Sequence, residues 1–170
     1  EHNEKKERAN VYLYCNESKC PECGVIFPLS PSWVIGQGSR TIAELNKNGN
    51  MYDIIIKSDV TKDEMDECKK HFTCSTGNVI CPNCHTKTPI SLLRGDRTGQ
   101  DGKVIYGLRQ WGKSDFDFKE GDIFSERLFA IRYENGDGIR YYRAPNEKDL
   151  ANEAKVKQIV SENIINWQEL

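Results

Sequence analysis

The sequence predicts a β-rich α+β fold: a four-cysteine ribbon, additional strands around it, and one long C-terminal helix. Three observations carry that expectation. Cys20-Pro21-Glu22-Cys23 and Cys81-Pro82-Asn83-Cys84 repeat one C-P-x-C step. Short apolar runs bounded by Gly, Pro and Asn flank each step, the pattern of strands. Beyond Pro145 the apolar residues change to a spacing of three and four, the period of a helix. These divide the chain into a charged stretch 1–10, a ribbon domain 11–145 carrying an insert over 36–78, and a helix over 146–170.

Taken in order, Val11 to Cys15 reads as a strand entering the first knuckle and Val25 to Leu29 as the strand leaving it, so the knuckle caps a hairpin. Pro28 and Pro31 end that strand, and Trp33-Val34-Ile35 is a core anchor before the loop Gly36 to Ser39. The 57 residues from Gly24 to Ile80 exceed what a minimal ribbon needs and must hold structure of their own. Tyr52 to Lys57 is a strand. Thr61 and Glu64 form a capping box opening a short helix with Met65, Cys68 and Phe72 on one face, which makes Cys68 a core thiol. Val79-Ile80 leads into the second knuckle and Pro89 to Leu93 leads out. Residues 94–122 read as loop, with Val104 to Tyr106 as a strand inside it. Glu126 to Glu134 and Ile139 to Arg143 form a hairpin around Asn135-Gly136-Asp137-Gly138, with Phe129, Ile131 and Tyr133 on one face. Asn146 caps the last helix with Asp149 at the third position. Its stripe of Val156, Ile159, Val160, Ile164 and Trp167 suits core or partner packing.

The two knuckles predict chemistry as well as shape. Zinc favours four sulfur or nitrogen ligands in a tetrahedron, and Cys20, Cys23, Cys81 and Cys84 supply a complete set. Proline after the first cysteine fixes φ in the tight turn. Cys15 and Cys74 lie near the knuckles and are alternative ligands with poorer spacing. A four-thiolate sphere leaves no place for a bound water, so the predicted zinc is one ion and structural.

Other chemistry finds little support. A zinc deaminase needs H-x-E ahead of P-C-x-x-C; His2-Asn3-Glu4 spells it only at the charged start, and Ile80 stands where Pro should precede Cys81. Cys81 to Lys87 looks like the end of a zinc-containing HNH endonuclease, yet His71 is the one histidine between the knuckles and has no His or Asp neighbour. No phosphate-cradling glycine loop, adenine-binding Asn/Asp-Pro-Pro-Tyr/Phe motif or G-x-S-x-G elbow is present. Seven cysteines, an odd number, argue against a disulfide framework and for a reducing cytoplasm. No apolar run reaches the ~20 residues of a membrane span. Charged residues make up 29 % of the chain, which reads as soluble. A net charge of −2 points to no partner.

Residues 86–143 differ in holding eleven Lys and Arg against nine Asp and Glu. There Arg94, Arg97, Lys103, Arg109 and Lys113 interleave with Tyr106 and Trp111, a mix that grips phosphates and stacks on bases. Asp96, Asp101 and Asp115 dilute the field. Arg94, Arg97, Lys103, Arg109, Trp111 and Lys113 are the candidate nucleic-acid contacts.

Longer stretches resemble the zinc-ribbon insert of prokaryotic adenine-specific DNA methylases. The resemblance rests on Tyr14, Cys20-Pro21-x-Cys23-Gly24, Ile26, Pro28-Leu29 and Trp33; on the second knuckle with Pro89; on Glu126 to Ile131; and on the ending Tyr141-Tyr142-Arg143-Ala144-Pro145 to Asp149-Leu150. It covers nearly the whole chain from about Tyr12. It implies that this chain is the accessory portion of an S-adenosylmethionine-dependent enzyme acting on the exocyclic amine of adenine, with the four zinc ligands and association with DNA carried over. The cofactor and adenine motifs are not among these residues, so no catalytic residue is carried over and S-adenosylmethionine belongs to the parent protein. The expected partners are DNA and the remaining methyltransferase domain. The alternative is a stand-alone zinc-ribbon protein-interaction module without nucleic-acid contact. A first residue that is Glu, and a helix pattern running to Leu170, suggest an excerpt from a longer chain.

Overall fold

The structure, a computed structural model, describes residues 7–168. Most of the charged stretch 1–10, His2-Asn3-Glu4 included, lies outside them. The first strand, β1 (Arg8–Lys19), runs well past the predicted Cys15. Its polar end is held on both sides, by β2 (Ile26–Leu29) along Asn16 to Lys19 and by β11 (Phe124–Glu134) along nearly its whole length. Glu17 is buried there against Arg127 at 2.8 Å, and Ser18 Oγ donates to Ile123 O at 3.0 Å. Hydrophobic alternation gives no sign of such a strand end, because Glu17 and Ser18 are satisfied by Arg127 and the Ile123 carbonyl, both distant in sequence.

The insert builds a second sheet from β3 (Val34–Gly36), β4 (Thr41–Asn48) and β5 (Met51–Lys57), in that order. Helix α1 (Lys62–Cys68) opens on the predicted capping box: Glu64 N donates to Thr61 Oγ1 at 3.2 Å and Thr61 N donates to Glu64 Oε2 at 2.7 Å. Met65 and Cys68 turn into the core as expected. Phe72 does not; it lies beyond the C-cap Lys69 and is 38 % exposed.

A third sheet, β6 (Cys74–Ser75), β7 (Asn78–Ile80) and β8 (Lys87–Pro89), carries the second knuckle. The strand predicted over Pro89 to Leu93 is displaced. Its ladder ends at Pro89, which has no N–H to extend it, and Ile90–Leu93 winds into the helical turn α2. Within the 94–122 region β9 (Arg97–Thr98) pairs with β10 (Val104–Ile105) as a small hairpin. Strand β11 then pairs with both β1 and β12 (Arg140–Arg143), giving the antiparallel order β12-β11-β1-β2.

Two clusters form most of the core. One gathers Phe27, Val25, Tyr52, Val79, Cys20 and Cys81; the other gathers Trp33, Ile42, Ala43, Val60, Met65 and Cys68. Trp33, an anchor as predicted, meets Phe129 edge-on at 6.2 Å. A third, smaller cluster holds Leu128, Ile131 and Tyr133. Helix α3 (Glu147–Gln168) starts at the predicted cap, with Asp149 N donating to Asn146 Oδ1 at 2.9 Å. Asp149 also accepts from Tyr133 Oη at 2.9 Å, and Lys157 reaches Asp117 at 2.7 Å. Val156 and Ile159 stay 58 % and 47 % exposed, so the front of the stripe is not core. The side chain of Trp167 lies outside the described residues. Among the described residues no helix is long and apolar enough to cross a membrane.

Candidate metal centre

Each knuckle sits at the tip of a hairpin, and the two tips are built alike. Cys20 N donates to Val25 O at 2.8 Å and Gly24 N to Cys20 O at 3.0 Å; Cys81 N donates to Thr86 O at 3.1 Å and His85 N to Cys81 O at 2.9 Å. The residue after the second cysteine is left-handed in both, Gly24 at φ +75° and His85 at φ +59°. Glycine suits that conformation; histidine occupies it at a cost.

The tips bring four sulfurs together. Cys20 Sγ lies 3.7 Å from Cys84 Sγ, and Cys23 Sγ lies 3.7 Å from Cys81 Sγ, each pair crossing from one knuckle to the other. All four sulfurs fall within 4.8 Å of one another. A tetrahedron with metal–sulfur bonds of about 2.3 Å has edges of about 3.8 Å, so these four cysteines are spaced to hold one metal ion. Among the described residues they form the one such group, and Cys15, Cys68 and Cys74 are not in it. Cys15 is buried beside Glu17, and burial followed by that carboxylate pushes its thiol up to about 12. Cys74 pairs with Val79 in the third sheet.

The surroundings of the sulfurs are unequal. Cys20 and Cys81 are buried, and desolvation raises both thiols, that of Cys81 to about 12. Backbone amides of Glu22 and Cys23 point at the Cys20 sulfur, and those of Asn83 and Cys84 at Cys81. Cys23 is exposed, and the Asn83 side chain, then the Val25 amide, lowers its thiol to about 6. The Thr86 hydroxyl, 3.4 Å from Cys84 Sγ, lowers Cys84. A metal ion would supply the positive charge that the two buried thiolates lack.

Several supporting residues escape a reading of the sequence. Tyr52 sits in the cluster under the site; burial first, and then the charges of Cys81, Cys23 and Cys84, raise its hydroxyl. Asn83 occupies the variable place of its knuckle and accepts from Lys47 Nζ at 2.6 Å. Thr73 joins the two hairpins: its hydroxyl donates to Pro28 O at 2.6 Å and accepts from Ser30 N at 2.9 Å, while Ile80 N donates to its carbonyl at 2.9 Å. Their roles depend on contacts between distant segments, for which no local spacing exists.

The six candidate nucleic-acid residues fall into different environments. Arg109 is enclosed by acid: Nε and Nη2 each donate to Asp122 at 2.9 Å and Nη1 to Asp115 at 2.7 Å. Its guanidinium also stands 5.1 Å from the Trp111 ring, which is edge-on to Phe118 at 5.4 Å and 48 % exposed. Arg94 pairs with Asp96 at 2.6 Å. Asp96 also accepts from Gly107 N at 3.1 Å; Gly107 packs so tightly that a Cβ there would run into the carbonyl of Arg94. Arg97 is exposed on β9, the Lys103 ammonium meets Asp101 at the surface at 3.4 Å, and Lys113 is also exposed to solvent. Tyr106, just past β10, is 71 % exposed.

No family model, curated protein or solved structure matches the chain.

Proposed function

We propose that Cys20, Cys23, Cys81 and Cys84 bind one structural zinc ion, and that the chain is a non-catalytic zinc-ribbon module of an S-adenosylmethionine-dependent adenine-specific DNA methyltransferase, serving DNA recognition or docking on the catalytic domain. The sulfur spacing of 3.7 Å across the two knuckles carries the metal part. Zinc is the metal that four cysteines in paired C-x-x-C turns favour, and a filled sphere makes it a structural ion. The methylase part is supported by the sequence resemblance, above all by the ending Tyr141 to Leu150. DNA contact is favoured on the β9–β10 hairpin and its flank, where Arg97, Lys103 and Tyr106 are exposed together.

Elemental analysis should give one zinc per chain, and Cys84→Ser should lose it with much of the fold, since structural zinc contributes on the order of 10 kcal/mol in small domains. Metal-free protein with an unchanged Tm would refute the zinc. For DNA, titration of a duplex across a salt series should show binding that weakens as salt rises. Replacing Arg97 and Lys103 by Ala should weaken it and flatten the slope of log K by roughly 0.9 per lost phosphate contact. Binding absent, or unchanged by that pair, favours the alternative of a protein-interaction module, to which the exposed Leu92, Val104 and Leu108 lend support.

A further inference from the structure

Strand β4 has an edge that the fold leaves open. The β4–β5 hairpin turns through Gly49 and Asn50, so Asn48 and Met51 close it as a hydrogen-bonded pair. Alternation along an antiparallel ladder then bonds Asn46, Glu44 and Ile42 to β5 and turns the N–H and C=O groups of Lys47, Leu45 and Ala43 outward. Two observed bonds agree with that phase. Ala43 N donates outward to Trp33 O at 2.8 Å, and on the far side of β5 Tyr52 O accepts from Arg127 Nη2 at 2.7 Å. Strand β3 pairs with β4 only at Thr41 and Ile42. Leu45 and Lys47 have no backbone partner beyond β5 among the described residues.

Beside this edge lies a cleft of about 600 Å³. Ala43, Glu44 and Leu45 all line it. Successive side chains of a strand point to opposite faces, so the cleft follows the edge of β4 rather than one face of its sheet. Trp33, Tyr52 and Ile80 give it an apolar wall. At the rim stand the carboxylates of Glu44, Glu64 and Glu67, the ammonium of Lys70, and the imidazoles of His71 and His85. Glu44 is paired with Lys57, and Glu67 with Lys70 and, at 3.4 Å, with the His71 imidazole; Glu64 bonds within the capping box and shares the field of Lys57. The rim therefore keeps an excess of negative charge.

We propose that this edge accepts an extended segment of a partner polypeptide as an added strand, with an apolar side chain in the cleft and a flanking Lys or Arg at the Glu64–Glu67 rim. A volume of this order also suits a small molecule. What selects a peptide is the pair of unpaired backbone positions, Leu45 and Lys47, two residues apart as in any strand awaiting a neighbour. The acidic rim selects a basic segment, and it disfavours nucleic acid. The inference rests on neither the identity of the metal nor the DNA reading.

The probe is the peptide acetyl-Lys-Val-Phe-Val-Lys-amide, titrated into the isotope-labelled, metal-loaded full chain. Amide exchange at Leu45 and Lys47 should slow by about tenfold or more at saturation. An otherwise identical peptide with Glu in place of both Lys should bind several-fold more weakly, and Glu67→Gln should weaken the basic peptide without moving Tm. Two N-methylated versions, one blocked at both valines and the other at phenylalanine and the two terminal lysines, separate strand addition from simple burial: one pattern must abolish binding and the other leave it. Equal tolerance of both versions, no protection at Leu45 and Lys47, or perturbation confined to the β9–β10 hairpin would overturn the proposal. So would protection of the same two amides by a DNA oligonucleotide.

Discussion

The two knuckles differ at one residue in a way that has an energetic consequence. Gly24 and His85 hold the same left-handed position, at φ +75° and +59°. A side chain there costs about 1–2 kcal/mol, because Cβ crowds the backbone. His85→Gly should therefore stabilise the metal-loaded protein by about 1 kcal/mol, less what glycine gains in the unfolded chain. A thermal melt measures this, and a lower Tm would mean that the imidazole makes a contact worth more than the strain. At this scale the four cysteines are legible from spacing alone, because each knuckle is a local turn. Asn83, Thr86 and Tyr52 are not: the first two look like filler in a motif, and Tyr52 reads as one more strand residue.

Among the elements, the segment from Arg94 to Asp122 shows how a charge pattern misleads. Read linearly, Arg109 is one cation among several. Folded, all three of its donor groups meet Asp115 or Asp122, and it serves as a clamp. The sequence shows both signs of charge but not which pairs the turns bring together. Asp115, chiefly through Lys119, and Asp122, chiefly through Arg109, are both lowered to about 2. Carboxylates depressed in the folded state add stability that is fully present above the ordinary Asp value of about 3.9 and is lost as pH falls through about 2. Fluorescence of Trp111, beside the clamp, should accordingly change between about pH 4 and pH 2. Arg109→Ala should shrink that acid transition, mainly by the share of Asp122, and loosen the loop already at neutral pH, with DNA affinity falling less than in the Arg97 and Lys103 variant. An Arg109→Ala protein with an unaltered acid profile would contradict the clamp.

Over the whole molecule, what was legible follows sequence distance. The first knuckle hairpin, the turn of the second knuckle, the α1 capping box, the β11–β12 turn and the α3 cap are all local, and all appear where spacing and turn chemistry put them; the strand leaving the second knuckle does not, since it lies at Lys87–Pro89. Strand β4 and the far half of β1 were not visible. Thr41 to Asn48 mixes polar and apolar residues without clean alternation, because its inward side chains serve two clusters at once: Leu45 packs against both. The polar end of β1 is a strand because β2 and β11 flank it.

The pairing of β1 with β11 has a consequence in time. Arg8 lies opposite Glu134, so a chain emerging from the ribosome completes both knuckles long before it can cover β1. Translation at about 5–20 residues per second leaves an interval of several seconds between Cys84 and the end of β11. During it the metal-bearing hairpins can close while one side of β1 stays unpaired, and an unpaired strand edge invites association with other chains. A fragment ending before β11 should thus still take up metal yet aggregate, and supplying residues 120–145 as a separate peptide should suppress the aggregation. Should the fragment bind metal and remain monomeric, some other segment must shield β1 during synthesis.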